Sequence, residues 1–257
     1  HNWQSNVKQN GSMKSEWFKD WFNTQEYLTV YQHRNESDAE VHIKLILENL
    51  KIPSGAKILD MACGAGRHAI ILARKNFHLT AVDLSENLIS IAEQSAQNEN
   101  LKINFVQSDI RKYETNDKFD LIVNLFTSFG YFESDEENFA ILQKAYDLIV
   151  EDGYFVLDFF NSHFLQENLV ECSEESLGGA EIHQYRKIRD KRVTKKIVIT
   201  KNGNLSTYEE SVRMFTKDEL VNAIQNIGFD INKTFGDFLG NEFDILNSPR
   251  LIMICKK

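Results

Sequence analysis

The sequence predicts an α/β fold, a Rossmann-like doubly wound sheet with helices on both faces. A short apolar run, Lys57-Ile58-Leu59-Asp60-Met61, stops at the turn Cys63-Gly64-Ala65-Gly66, and a helical pattern follows at once. A second apolar strand, Leu79-Thr80-Ala81-Val82-Asp83, ends on an acid and closes a βαβ unit. Strand-like runs from Ile103 to Gln107 and from Phe119 to Phe126 continue the alternation.

Composition narrows the functional classes. The 257 residues are 42% apolar and 11% aromatic, enough for one sizeable core. The sequence has no apolar run of the roughly 18 residues that a membrane span needs, so a soluble, cytoplasmic protein without membrane partners is expected. Twenty-nine basic against 38 acidic residues give a net charge of −9, which argues against broad attraction to nucleic acid. Cys63, Cys172 and Cys255 show no metal-ligand spacing, and their odd number suits a reducing compartment. Without a base nearby in sequence, Cys63 reads as a small buried residue of the turn rather than a nucleophile.

Taken in order, residues 1–12 are polar and aperiodic and read as lying outside the fold, with a start at Met13. Residues 13–52 read as an N-terminal helical segment. Trp17, Phe18, Trp21 and Phe22 recur at helical spacing, Tyr27, Tyr31, His33 and Arg34 follow, and a second helical run covers Asp38 to Leu50. Plain packing on the core would explain these aromatics as well as a lid would. Pro53-Ser54-Gly55 is the turn into the core, expected over 53–177 and 216–257. Ser85 is the expected N-cap of a helix through Gln97. The run from Phe119 reads as a buried central strand whose far end faces the ligand, with Asp120 structural at its other end. Glu136 to Val150 is helical, Asp152-Gly153 is expected to stop it, and Tyr154 to Phe160 is the next strand. Asp158, Asn161 and His163 fall at or beyond that strand's carboxyl end, the edge where open α/β sheets bind ligands.

Between residues 178 and 215 the pattern shortens into three alternating runs separated by Asp190-Lys191 and Asn202-Gly203, an antiparallel insertion. Arg186, Lys187, Arg189, Lys191, Arg192, Lys195, Lys196 and Lys201 make it locally basic. A solvated face is the first expectation; a cap that orients an acidic substrate and a nucleic-acid patch are the alternatives. Lys217 to Ile227 returns to helix, with Thr216 as N-cap and Gly228 as stop. Asp230 to Phe235 and Arg250 to Cys255 are the last strands. The loop between them offers Asp237, Asn241, Asp244 and Arg250 as substrate contacts or as ordinary polar surface.

The acids decide which ligand the turn suits. Gly64-Ala65-Gly66-Arg67-His68-Ala69 satisfies the dinucleotide pattern G-x-G-x-x-A, with Asp83 at about the expected distance for a ribose-binding acid. Asp60 and Asp109 add carboxylates at neighbouring strand ends, which a pyrophosphate would find repulsive. S-adenosylmethionine instead offers an ammonium, a sulfonium, ribose hydroxyls and an adenine amine to face them. A helix cap or loop solvation would account for any one of these acids more readily than for all of them together.

These residues, above all Ile58-Leu59-Asp60-Met61-Ala62-Cys63-Gly64-Ala65-Gly66-Arg67-His68, resemble the class I S-adenosylmethionine-dependent methyltransferases from about Trp17 onward. Leu125-Phe126-Thr127-Ser128-Phe129-Gly130-Tyr131 is similar to a segment of small-molecule members, including aminosugar N-methyltransferases. The resemblance implies a seven-stranded sheet with its last strand antiparallel, S-adenosyl-L-methionine as cofactor, and a helical lid to which Tyr27, Tyr31 and Arg34 would contribute. Carried over by motif position, it implies Asp60 facing the methionyl ammonium, with backbone from Ala62, Cys63, Gly64 and Gly66 around it. Asp83 would take the ribose hydroxyls, Leu84 would pack on adenine, and Asp109 with the Ile110 amide would read its edge. Asn124 or Leu125 would offer a carbonyl, and Tyr31 would help cover the cofactor. Tyr131 and His163 are the catalytic candidates, with His68 behind them.

Methyl transfer to an N or O atom of a small molecule is the resulting expectation. The alternatives are an RNA methyltransferase, an NAD-dependent dehydrogenase and an inactive cofactor-binding protein. The chain lacks an Asn/Asp-Pro-Pro-Tyr/Phe segment after the fourth strand, which argues against RNA or protein targets. Monomer and homodimer both stay open, and no metal is expected.

Overall fold

The computed structural model describes residues 16–31 and 36–257. His33 and Arg34 therefore lie outside the described residues. The elements run α1 (Trp17–Trp21), α2 (Gln25–Val30), α3 (Glu36–Glu48), β1 (Lys57–Met61), α4 (Arg67–Arg74), β2 (His78–Asp83), α5 (Glu86–Asn98) and β3 (Ile103–Gln107). There follow β4 (Phe119–Asn124), α6 (Asp135–Leu148), β5 (Ile149–Phe160) and α7 (Ser162–Glu167), then β6 (Cys172–Leu177), β7 (Ala180–Arg189), β8 (Arg192–Lys201) and β9 (Asn204–Arg213). The chain closes with α8 (Lys217–Ile227), β10 (Asp230–Phe235) and β11 (Arg250–Lys256).

The main sheet has seven strands in the order β10-β11-β5-β4-β1-β2-β3. Neighbours from β5 to β3 pair in parallel, while β11 runs antiparallel between β10 and β5. Alternation along the strands feeds two apolar layers. Ile58, Leu121, Val123, Val156, Ile252 and Ile254 meet α3 and α4 on one face. Leu59, Ile122, Phe155, Leu157, Leu251 and Met253 meet α6 and α8 on the other.

Local chemistry sets the helix starts. The Ser85 hydroxyl accepts from the Leu88 amide, and Thr216 forms a reciprocal capping box with Glu219. Two boundaries differ from expectation. α6 ends at Leu148 and passes directly into β5, so Asp152-Gly153 lies inside a strand whose pairing with β4 shifts register between Phe119 and Leu121. The antiparallel sheet has four strands, β6-β7-β8-β9, rather than three, because the polar run from Cys172 pairs with β7. Its buried Ala180, Ile182, Ile197 and Ile199 join the same apolar cluster as Phe129, Phe159 and Phe215 of the main body.

Candidate functional site

The turn after β1 is built from backbone that most side chains resist. Ala62, Gly64 and Gly66 have φ of 61°, 57° and 78°. A Cβ on Gly66 would stand 2.8 Å from that of Ala92, so the turn packs tightly on α5, whereas one on Gly64 would meet nothing within 4 Å. Gly64 thus presents open backbone to the space at the sheet's carboxyl edge, where α4 begins.

Two cavities share a wall there, with Phe22, Ala62, Asp83, Ser128 and Tyr131 common to both. The larger, about 240 Å³, is lined also by Tyr31, Asp60, Cys63, Gly64, His68 and Leu125. The smaller, about 60 Å³, is mainly apolar, with Val82, Leu84, Ile110, Phe129 and Phe132 on its walls and Asp109 at its edge. The larger thus offers buried carboxyl groups, and the smaller an apolar enclosure.

Electrostatics separate the acids. Asp60 is 2% exposed, and its Oδ2 has no hydrogen-bond donor among the described residues. Burial and the neighbouring Asp83 push its pKa up to about 7, with Arg67 pulling the other way. Asp83 is also raised by burial, although it accepts from the Gly64 amide at 2.7 Å and the Ser85 amide at 2.9 Å. Asp109 is differently placed. Both its oxygens accept from Arg111, and those bonds outweigh burial and hold it below the usual carboxylate range. Asn124 turns its amide nitrogen to the Met61 and Ser128 carbonyls and leaves Oδ1 buried without a partner among the described residues. Burial, followed by Asp60 and Asp83, lifts the Cys63 thiol well above its ordinary value, so it is no nucleophile. His68 is held neutral, well below the ordinary value, first by burial and then by His42 and Arg67.

An open cleft of about 250 Å³ adjoins these cavities, lined by Tyr27, Tyr31, Phe126, Tyr131, Lys195 and Glu210 among others. Tyr131 lines all three spaces, and Tyr31 lines the larger cavity and the cleft. Glu210 ties the N-terminal helices to the small sheet: it accepts from Trp21 Nε1 at 2.7 Å and the Tyr31 hydroxyl at 2.6 Å, and pairs with Lys195 at 2.7 Å.

A brace holds the loop after β4. Phe126 and Thr127 both have positive φ, 56° and 64°. Asp158, fully buried, accepts from the Phe126 amide at 2.8 Å, while Arg250 donates to Asp158 and to the Thr127 hydroxyl, the latter at 3.0 Å. The sequence places Asp158 at the ligand edge and offers Arg250 as a substrate contact or polar surface; the structure instead pairs the two under the loop.

Asp60, Ala62, Cys63, Gly64, Asp83, Leu84, Asp109, Ile110, Leu125, Tyr31 and Tyr131 therefore converge on the joined cavities. Gly66 and Asn124 support the turn from behind. His163 does not converge: it lines a separate cleft with Gln166, Lys191 and Thr216, because α7 carries it away from the edge. Asp237 and Asp244 cap turns of their own loop through the amides of Leu239 and Leu246.

Fold and site together define a Rossmann-like α/β protein with two adjoining cavities at the carboxyl edge of its sheet. Residues 58–153 match the family model described as a methyltransferase domain. Among curated relatives, a Geobacillus sp. (strain WCH70) protein named only provisionally as a methyltransferase is 32% identical over 128 residues, 48% of this chain and 52% of that one. The chain thus matches about half the length of that relative. The glycine/sarcosine N-methyltransferase of Aphanothece halophytica is 25% identical over 90% of this chain and 86% of its own. Two solved structures share the fold. An S-adenosylmethionine-dependent methyltransferase from Clostridium acetobutylicum superposes with TM-score 0.77 at 19% identity, covering 89% of this chain and 94% of that one. A sugar N-methyltransferase from Streptoalloteichus sp. gives TM-score 0.68 at 14% identity, covering 99% and 98%. Residues 58–153 are thus similar to a methyltransferase domain within a chain that shares the fold of S-adenosylmethionine-dependent methyltransferases, and the joined cavities fit that cofactor through the buried Asp60 oxygen and the open Gly64 backbone.

Proposed function

We propose that the protein transfers a methyl group from S-adenosylmethionine to a nitrogen or oxygen of a small molecule. When bound, the cofactor supplies an electrophilic methyl on a sulfonium with a neutral leaving group. The observation that carries the reading is the buried Asp60 carboxyl, lining the larger cavity with an oxygen that no donor among the described residues satisfies. A buried carboxylate in that state is costly unless a cation arrives.

The chain's own work is then to bind, align and exclude water. Asp60 would hold the cationic end and Asp83, at the wall shared by both cavities, the ribose, while Leu84, Ile110 and Phe129 would enclose the adenine. Tyr131, shared by all three spaces, orients the acceptor toward the methyl. Alignment of this kind supplies on the order of 7 to 11 kcal/mol without a dedicated catalytic group. Because the cleft is small and walled with aromatics, it suits a metabolite rather than a polymer. The glycine/sarcosine and sugar N-methyltransferases among its relatives favour a nitrogen acceptor.

Calorimetry with S-adenosylhomocysteine tests the donor site. Binding is expected, and Asp83→Ala should weaken it by about 10- to 100-fold. No binding, or an unchanged affinity in the variant, removes the donor assignment. A tritiated-methyl screen over cell metabolites then finds the acceptor.

A further inference from the structure

On the insertion's side of the cleft, register places Arg186, Lys195 and Glu210 in one cross-strand row of β7, β8 and β9, and all three line the cleft. Their charges are unequally spent. Glu210 holds its carboxyl below the usual range: burial opposes this, but the Lys195 charge and the bonds from Lys195, Tyr31 and Trp21 outweigh it. Lys195 and Glu210 balance each other at 2.7 Å. Among the described residues, Arg186 has only neutral partners, donating to the Val170 carbonyl at 3.3 Å, Ser173 Oγ at 3.0 Å and Gln184 Oε1 at 2.7 Å. Among the described residues, the wall therefore carries one unbalanced positive charge, in a chain whose net charge is −9.

Resting on the methyltransferase reading, we propose that the acceptor is a small carboxylate-bearing molecule whose carboxylate sits on Arg186, with its nucleophilic nitrogen or oxygen directed past Tyr131 to the donor cavity. A single guanidinium fork matches a planar carboxylate in two parallel hydrogen bonds. The aromatic surroundings, Tyr31, Phe126, Tyr131 and Phe160, lower the local polarity, so an anion entering there gains more from the pairing than it would in open water. The cleft's size, about 250 Å³, falls below the roughly 300 to 1,000 Å³ of sites for drug-sized ligands and limits the acid to a small one. Glu210, already holding three donors, is not placed to receive a cationic acceptor.

The test compares β-alanine, 4-aminobenzoate and 3,4-dihydroxybenzoate with their carboxamides. Binding is followed by calorimetry with and without S-adenosylhomocysteine, and turnover by tritiated methyl transfer. At least one acid should be preferred over its amide by roughly 10- to 100-fold. Arg186→Gln should abolish that preference through KM while leaving S-adenosylhomocysteine affinity unchanged, and Arg186→Lys should restore part of it. Equal handling of acid and amide, binding of no acid by the wild type, or a preference that survives in Arg186→Gln overturns the proposal. Acid-selective binding without any methyl transfer upholds the anion subsite and counts against the activity. Loss of S-adenosylhomocysteine binding in Arg186→Gln would mark misfolding, and the Arg186→Lys comparison then decides.

Discussion

Asp60 joins burial to function at the scale of one residue. Its carboxyl titrates near 7 because it is dry and faces Asp83, so the ligand-free protein keeps it largely protonated in mild acid. The folded pKa is raised, so Asp60's contribution to stability is complete below the unfolded carboxyl range near 4 and is lost as pH rises through about 7. A cationic donor reverses this preference by stabilising the ionised form. Binding at pH 6 should therefore release close to one proton, and affinity should climb from pH 5 to 7 and level off above. Calorimetry in buffers of different ionisation enthalpy measures the proton, and Asp60→Asn should abolish its release. The position of this acid was legible in the sequence because strand, turn and helix are local patterns. Its solitude was not, since the missing donor is a fact about the surrounding shell. The commitment of Asp109 to Arg111, two residues on, had a signal in sequence, an acid and a base bracketing a turn. His163 was misplaced for the opposite reason: the six-residue α7 gave no periodicity long enough to read.

The loop after β4 shows what elements contribute. Phe126 and Thr127 hold φ values that cost energy in residues with branched or bulky side chains, and the cost is met by Asp158 on β5 and Arg250 on β11. That pairing joins positions far apart in the chain, so no local pattern announces it; only the antiparallel register of β5 with β11, with Arg250 opposite Phe160, brings them together. Arg250→Met leaves the buried Asp158 carboxylate without its ion-pair partner and should cost about 3 to 5 kcal/mol in urea unfolding. Asp158→Asn keeps a hydrogen-bonding side chain and should cost less. Both should raise acceptor KM more than they weaken S-adenosylhomocysteine binding, because the braced loop leads to Tyr131. The fourth strand of the small sheet escaped the sequence reading in the same way: Cys172-Ser173-Glu174-Glu175-Ser176-Leu177 is an exposed edge, and its polarity hides it until Gly178-Gly179 is seen as a hairpin.

At the scale of the whole molecule, the small sheet and the N-terminal helices are separate in sequence yet share one core. Ile182 and Ile197 lie in the same buried cluster as Phe159, Leu142 and Met253, and the Trp21 ring lies tilted against Tyr208, centroids 4.3 Å apart, while donating to Glu210. An insertion that merely sat on a finished domain would expose little when detached. This one would uncover apolar surface on both sides, so its opening alone is unfavourable. The cleft proposed for the acceptor is lined where these parts meet, which would make global stability and acceptor binding properties of the same interface. Urea unfolding should consequently be a single transition in which tryptophan fluorescence, dominated by Trp17 and Trp21 at that interface, coincides with far-UV circular dichroism from the main sheet. Glu210→Ala removes the acceptor of Trp21 and Tyr31 and the partner of Lys195. It should separate the two signals, with fluorescence moving at lower urea, while S-adenosylhomocysteine still protects the dichroism. If the wild-type curves already part, the small sheet folds as an independent unit, and the cleft's shape is then set by the docking of that unit rather than by the core.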